Sequence, residues 1–184
     1  MSRTLVVFYK DRKGNVPALE WMDALPAKVQ DKCVVKIERL RELGHALRRP
    51  EADLLRNGIY ELRVGWEGMR GAHVSGGIVM AKRQKRRTAD AVQILYRRYY
   101  EGRPGRVRGL EEARANDSVA RKLTALRLQA GMTQRQLAKL VGTTASAICR
   151  LENADYEGHS LAMLNRIAAA LDQRVELQFV PLAG

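Results

Sequence analysis

Residues 133–153, TQRQLAKLVGTTASAICRLEN, hold the side chains best suited to reading a polyanion. Arg150 can grip guanine through O6 and N7, and Thr144 and Ala145 can touch a thymine methyl. Ser146 and Cys149 stand beside them at helical spacing. Gln134, with the amides that open a first helix, suits a phosphate, and Thr143 is a further phosphate candidate. Such chemistry needs two helices held at a fixed angle. Thr133 and Gln136 stand three apart and form a capping box at the start of the first helix. Leu137 and Val141 share one face of it, and Ala138 is small enough for a second helix to cross closely. Gly142 falls where a positive φ turns the chain. Ile148 and Leu151 then face back into a core. This is the spacing of a helix-turn-helix unit, whose second helix lies in the major groove with its N-terminal residues on base edges.

Composition agrees with that partner and excludes others. The chain has 184 residues, 46% hydrophobic and 29% charged, which is globular composition. Its 33 Lys/Arg against 20 Asp/Glu give +13. Such an excess favours nucleic acid first and an anionic membrane second. No apolar run approaches the roughly 18 residues of a membrane span. The N-terminus, MSRTLVVFYKDRKG, returns to charge after residues 5–9 and does not read as a secretory signal. Cys33 and Cys149 are too few for a disulfide scaffold. A cytoplasmic protein with no membrane association is expected. His45, His73 and His159 have no cysteine or acid cluster at ligand spacing, so neither metal nor cofactor is expected.

The elements that must position these residues read in two parts. In the first, residues 5–9 form a strand, and Asn15 caps a helix with Pro17 in its first turn. Leu19, Met22 and Leu25 form its buried stripe, and Pro26 ends it. A second helix spans about 27–43, with Val29, Cys33, Ile37 and Leu40 at helical spacing and Gly44 as its stop. Residues 59–66 alternate as a half-buried strand. The expected order is strand, two helices, strand. His73, Val74, Ile78 and Val79 could add a further strand, weakened by glycines. In the second part, 88–100 reads as a basic helix and another begins near Ser118, with Val119, Leu123 and Leu126 as its stripe. Helices follow at about 133–141, 144–153 and 160–171, then an alternating strand, RVELQFV. YRRYY (96–100) is read as a helix packing its tyrosines on a neighbour, with base stacking as the alternative, and KRQKRR (82–87) as a solvated arm, with DNA phosphate contact or the covering of another domain as the alternative. The first 79 residues carry net +4 and the remainder +9. The boundaries are set at 1–79, 80–109 and 110–184.

The segment GMTQRQLAKLVGTTASAICRLEN, preceded by LRLQAG, resembles the helix-turn-helix of the XRE family, the class of lambdoid-phage repressors. The resemblance implies an internal ion pair between Arg127 and Glu152. Residues 80–180 as a whole resemble HigA-like antitoxins of toxin–antitoxin operons. NVPALEWMDALP, the long helix after it, and LRRPEADLLRNGIYELRVGWEGMR resemble the phage-derived HigB/RelE-like toxins, which are ribosome-dependent mRNA endonucleases. That likeness covers about residues 4–70. Arg63 and Arg70 match positions of the family that this chain retains; alone they are a weak catalytic set, since a cation can stabilise a phosphorane-like state but nothing obvious serves as acid or base. The family continues with two more strands, a Lys-rich turn and a last helix. GAHVSGGIV stands here instead, so the toxin-like part reads as truncated.

The fold expected is therefore an incomplete RelE-like α+β part, then a mainly helical lambda-repressor-like domain with a C-terminal β-strand. The function expected is sequence-specific binding of double-stranded DNA, as a homodimer on an inverted repeat. The antitoxin likeness points to repression of the chain's own promoter. The alternative is a fused toxin–antitoxin protein whose endonuclease part is neutralised in cis, with a cognate toxin or the ribosome and its mRNA as partners.

Overall fold

The computed structural model describes residues 4–44, 47, 52–56, 59–64, 74–76, 87–153 and 156–179. Seven helices and five short strands are found among them. The chain divides into two compact units, Met1–Arg114 and Ala115–Gly184, whereas the sequence reading sets its boundaries at 79/80 and 109/110. The new division also moves the charge. Residues 1–114 hold 25 Lys/Arg against 14 Asp/Glu, net +11, and residues 115–184 hold 8 against 6, net +2.

The first unit opens with β1 (Val7–Tyr9), α1 (Pro17–Asp23) and α2 (Ala27–Leu43). Pro17 starts α1 as expected, but Asn15 does not cap it. Val16 occupies the cap position, with no side-chain hydrogen bond. The Asn15 side chain is spent one step earlier, donating to Asp11 Oδ2 at 3.1 Å, while Asp11 Oδ1 accepts from the amides of Lys13 and Asn15. The aspartate thus closes the loop that the asparagine was expected to open. α2 buries Val29, Cys33, Ile37 and Leu40, as their spacing requires. It stops at Gly44, where φ is +53° and a Cβ would meet Thr4 Oγ1 at 2.5 Å.

β2 (Ala52–Arg56), β3 (Ile59–Val64) and β4 (Val74–Gly76) form an antiparallel sheet in that order. Leu54 pairs with Tyr60, and Val64 with Val74. β2 is absent from the sequence reading, so the expected strand–helix–helix–strand order gains a hairpin. Its signal was the Asn57–Gly58 dipeptide between two strand-length runs. β4 realises at Val74 the strand offered after residue 71; His73, Ile78 and Val79 lie outside the described residues. β5 (Arg87–Asp90) pairs antiparallel with β1, Val7 opposite Asp90 and Tyr9 opposite Arg87. The helix expected from residue 88 therefore starts late, as α3 (Ala91–Tyr99), because β1 offers its first residues a ladder. Asp90 ends the strand and caps the helix, accepting from the Val92 amide at 2.9 Å. One core gathers Phe8, Met22, Ile37, Leu62, Leu95 and Leu110, with Trp21 packed at its edge; Trp66 lies outside the described residues. Tyr99 and Tyr100 are buried, donating to Asp23 at 2.8 Å and to Asp31 at 2.7 Å, and Tyr96 stays half exposed.

The next helix, α4 (Pro104–Gln129), begins well before the expected Ser118. Pro104 is suited to a first helical turn, and the run LEEARA favours continuation. The second unit takes the end of α4 together with α5 (Gln134–Leu140), α6 (Ala145–Leu151) and α7 (Leu161–Ala170). Thr133, Thr144 and Ser160 cap the last three. Leu123, Leu137, Ala138, Val141, Ile148, Leu151 and Ile167 form its core. The expected terminal strand is not formed, because residues 174–179 join no ladder. A strand needs a partner edge, and Leu177 and Phe179 remain 65% and 96% exposed.

Candidate nucleic-acid interface

The helix-turn-helix is built by contacts that the spacing of residues 133–153 foretold. Both halves of the capping box form: Thr133 Oγ1 accepts from the Gln136 amide at 3.2 Å, and Gln136 Oε1 accepts from the Thr133 amide at 2.8 Å. Leu137 and Ala138 are buried, so α6 can pack closely over the small side chain. Gly142 adopts φ +65°, and the Thr143 amide donates to Ala138 O at 2.8 Å. One contact was not foreseen. Arg166, from α7, donates to the carbonyls of Val141 and Gly142 and so clamps the turn from outside. Its only sequence signal was a single cation inside the otherwise uncharged LAMLNRIAAA.

α6 sorts its residues by face. Ile148 and Leu151 are buried, while Ser146, Cys149 and Arg150 are exposed. Thr144 Oγ1 accepts from the Ala147 amide at 3.1 Å, so its oxygen serves the cap and its methyl and O–H remain for a ligand. Ala145 is half buried and packed against the core. Thr143 is half buried. The outward set is thus Thr144, Ser146, Cys149 and Arg150.

Gln134 is held from within. Its Nε2 donates to Glu152 Oε2 at 2.8 Å. Glu152 also accepts from Arg127 Nε at 2.5 Å and Nη2 at 2.9 Å, which is the ion pair the resemblance implied. Arg127 Nη1 reaches Met132 O at 2.8 Å, tying the pair to the entry of α5. The Glu152 carboxylate beside it holds the Arg127 guanidinium above its ordinary pKa. His159 Nε2 donates to Leu151 O at 2.8 Å and serves the loop after α6.

Of the two candidate catalytic cations, one is among the described residues. Arg63 lies on β3 opposite Ser75, and Arg70 lies outside the described residues, as do His45, His73 and 82–86 of the basic run. Among the described residues, no group of His, Cys, Asp or Glu could hold a metal ion, and no helix is long and apolar enough to cross a membrane.

Two family models match the chain. Residues 20–74 match the phage-derived, Gp49-like proteins, and residues 118–177 match a helix-turn-helix domain. No curated protein and no solved structure matches it. The chain thus carries a Gp49-like segment followed by a helix-turn-helix domain. β5 and α3 follow the matched segment and pack in the same unit.

Proposed function

We propose that the chain is a DNA-binding transcriptional regulator of the XRE, HigA-like antitoxin type, repressing its own promoter as a homodimer. The observation that carries this reading is the outward face of α6. It offers Thr144 and Ser146 at its N-terminal end and Cys149 and Arg150 a turn later, while Ile148 and Leu151 anchor it. Two copies would present these faces about 34 Å apart, matching an inverted repeat with half-sites one helical turn apart. Selection of bound sequences from a random duplex pool tests it. The wild type should enrich an inverted repeat. Arg150→Ala should cost about 1–3 kcal/mol and relax one base position per half-site. Unchanged selectivity in that variant refutes the groove placement. Gln134 and Thr143 are assigned to backbone phosphates, so Gln134→Ala should weaken all sequences alike.

A second reading is favoured by one specific observation. β5 and α3 continue the first unit past residue 79, where the sequence reading had it truncated. The unit then suits a toxin-like mRNA endonuclease neutralised in cis, with Arg63 and Arg70 as its cations and the ribosome or a cognate toxin as partner. Transcript cleavage on translating ribosomes by residues 1–114 expressed without the second unit, silent in the full chain and abolished by Arg63→Ala, supports this reading. Uncut transcripts with the folded 1–114 fragment would leave the DNA function alone.

A further inference from the structure

We propose that the turn from α3 into α4 is a second duplex-DNA-binding surface, on the first unit. The inference rests on the DNA-binding reading above. It starts from where the charge lies: the helix-turn-helix unit is only +2, and the first unit is +11. Four of the second unit's eight cations are already engaged. Arg121 pairs with Asp117, Arg127 with Glu152 and Arg174 with Glu176, while Arg166 holds the turn carbonyls. Interfaces with DNA are strongly positive, and their affinity comes largely from phosphate neutralisation.

The α3–α4 corner sorts its own cations into two sets. Arg98 is held by Asp23, and Arg106 by Asp31 at 2.9 Å. Arg97, Arg103 and Arg108 alternate with them in sequence. All three are exposed and carry no ion pair to a described residue. Glu101 is the only acid between residues 97 and 108. Asp23 of α1 and Asp31 of α2 thus neutralise one set and leave the other three cations in solvent without an acidic partner among the described residues.

The same corner argues for a duplex over a single strand. Single-strand binders stack successive bases on aromatic faces. Tyr99 and Tyr100 are buried with their hydroxyls on Asp23 and Asp31, leaving Tyr96 alone at the surface. Point charges without a stacking platform suit a phosphate backbone.

The test uses the full chain, a random-sequence duplex and a single-stranded RNA of equal length, with affinity followed against salt. Each neutralised phosphate contributes about 0.9 to the slope of log K against log salt. Arg97→Gln/Arg103→Gln/Arg108→Gln should therefore lower the duplex slope by about 2–3. Affinity at 0.1 M salt should fall by roughly 10²-fold, with tryptophan fluorescence showing an intact first unit and RNA binding unchanged. The matched variant Lys10→Gln/Arg12→Gln/Lys13→Gln should keep the wild-type slope. An unchanged slope in the triple variant overturns the second surface while leaving the helix-turn-helix reading intact. So does an equal loss in the matched variant, or a loss confined to RNA. A wild type that binds no duplex overturns both.

Discussion

Replacing Arg127 by methionine should nearly unfold the second unit and leave the first untouched. The Arg127 and Glu152 side chains are 10% and 5% exposed, so the pair sits almost out of water. Arg127→Met removes two charge-assisted bonds to Glu152 and one to Met132 O, leaving the carboxylate with Gln134 alone. Breaking a buried pair from one side costs about 3–5 kcal/mol, because the remaining charge stays buried. A unit of 70 residues has about 3.5–10 kcal/mol in total. The double variant Arg127→Met/Glu152→Leu removes the stranded charge and should recover at least ~2 kcal/mol, since apolar replacements of buried pairs are often neutral. Hydrogen exchange of the α5–α7 amides reads the second unit. Both tryptophans, Trp21 and Trp66, lie in the first, so their fluorescence is an internal control. A single variant that loses under ~1 kcal/mol, or a double variant as unstable as the single one, would refute the reasoning.

Gly142→Ala should cost about 1–2 kcal/mol from the positive φ; an added Cβ meets only Arg166 Nη2, at 3.9 Å, so no clash contributes. Denaturant unfolding of the second unit measures it, and a loss above ~3 kcal/mol would mean that the space is tighter than described. Asp23 and Asp31 should respond to acid with opposite signs. The Arg98 guanidinium hydrogen-bonded to Asp23 holds its carboxyl below the ordinary range, so this stabilisation is present at neutral pH and lost as pH falls through its folded value. Burial pushes Asp31 up, against the pull of Tyr100 and Arg106, so the folded state gains stability as pH falls through that higher value. Urea midpoints followed by tryptophan fluorescence should show Asp23→Asn flattening an acid loss and Asp31→Asn flattening an acid gain. Effects of the same sign would refute the assignment.

The helix-turn-helix was legible because its determinants are local. A cap three residues from its partner, a small residue at a crossing and a glycine at a turn lie within a few positions of one another. Arg166 was missed because the carbonyls it holds are 24 and 25 positions away, and a lone cation announces no partner. β5 was misread as helix for the same reason: Thr88 and its neighbours are helical until a strand some eighty positions earlier offers hydrogen bonds. Asn15 looked like a cap because the competing acceptor, Asp11, lies outside the usual cap spacing. The terminal RVELQFV shows the reverse case, where the alternation is present and no described strand lies beside it. Of the site residues, exposure left Ser146, Cys149 and Arg150 where helical spacing put them, and packing withdrew part of Ala145.

The pairing of β1 with β5 sets a timetable for synthesis. Val7 lies opposite Asp90, 83 positions later. At about 5–20 residues per second, a growing chain holds β1 without its ladder for on the order of 4–17 s. Phe8, buried in the finished core, waits for that time beside an unpaired strand edge. The longer closure also makes this unit the slower folder. In the helical unit Arg127 meets Glu152 across only 25 positions, so it can close soon after it is made. The ribosome therefore delivers the slow half first, and the interval before Asp90 emerges is when a chaperone or a protease would meet this chain.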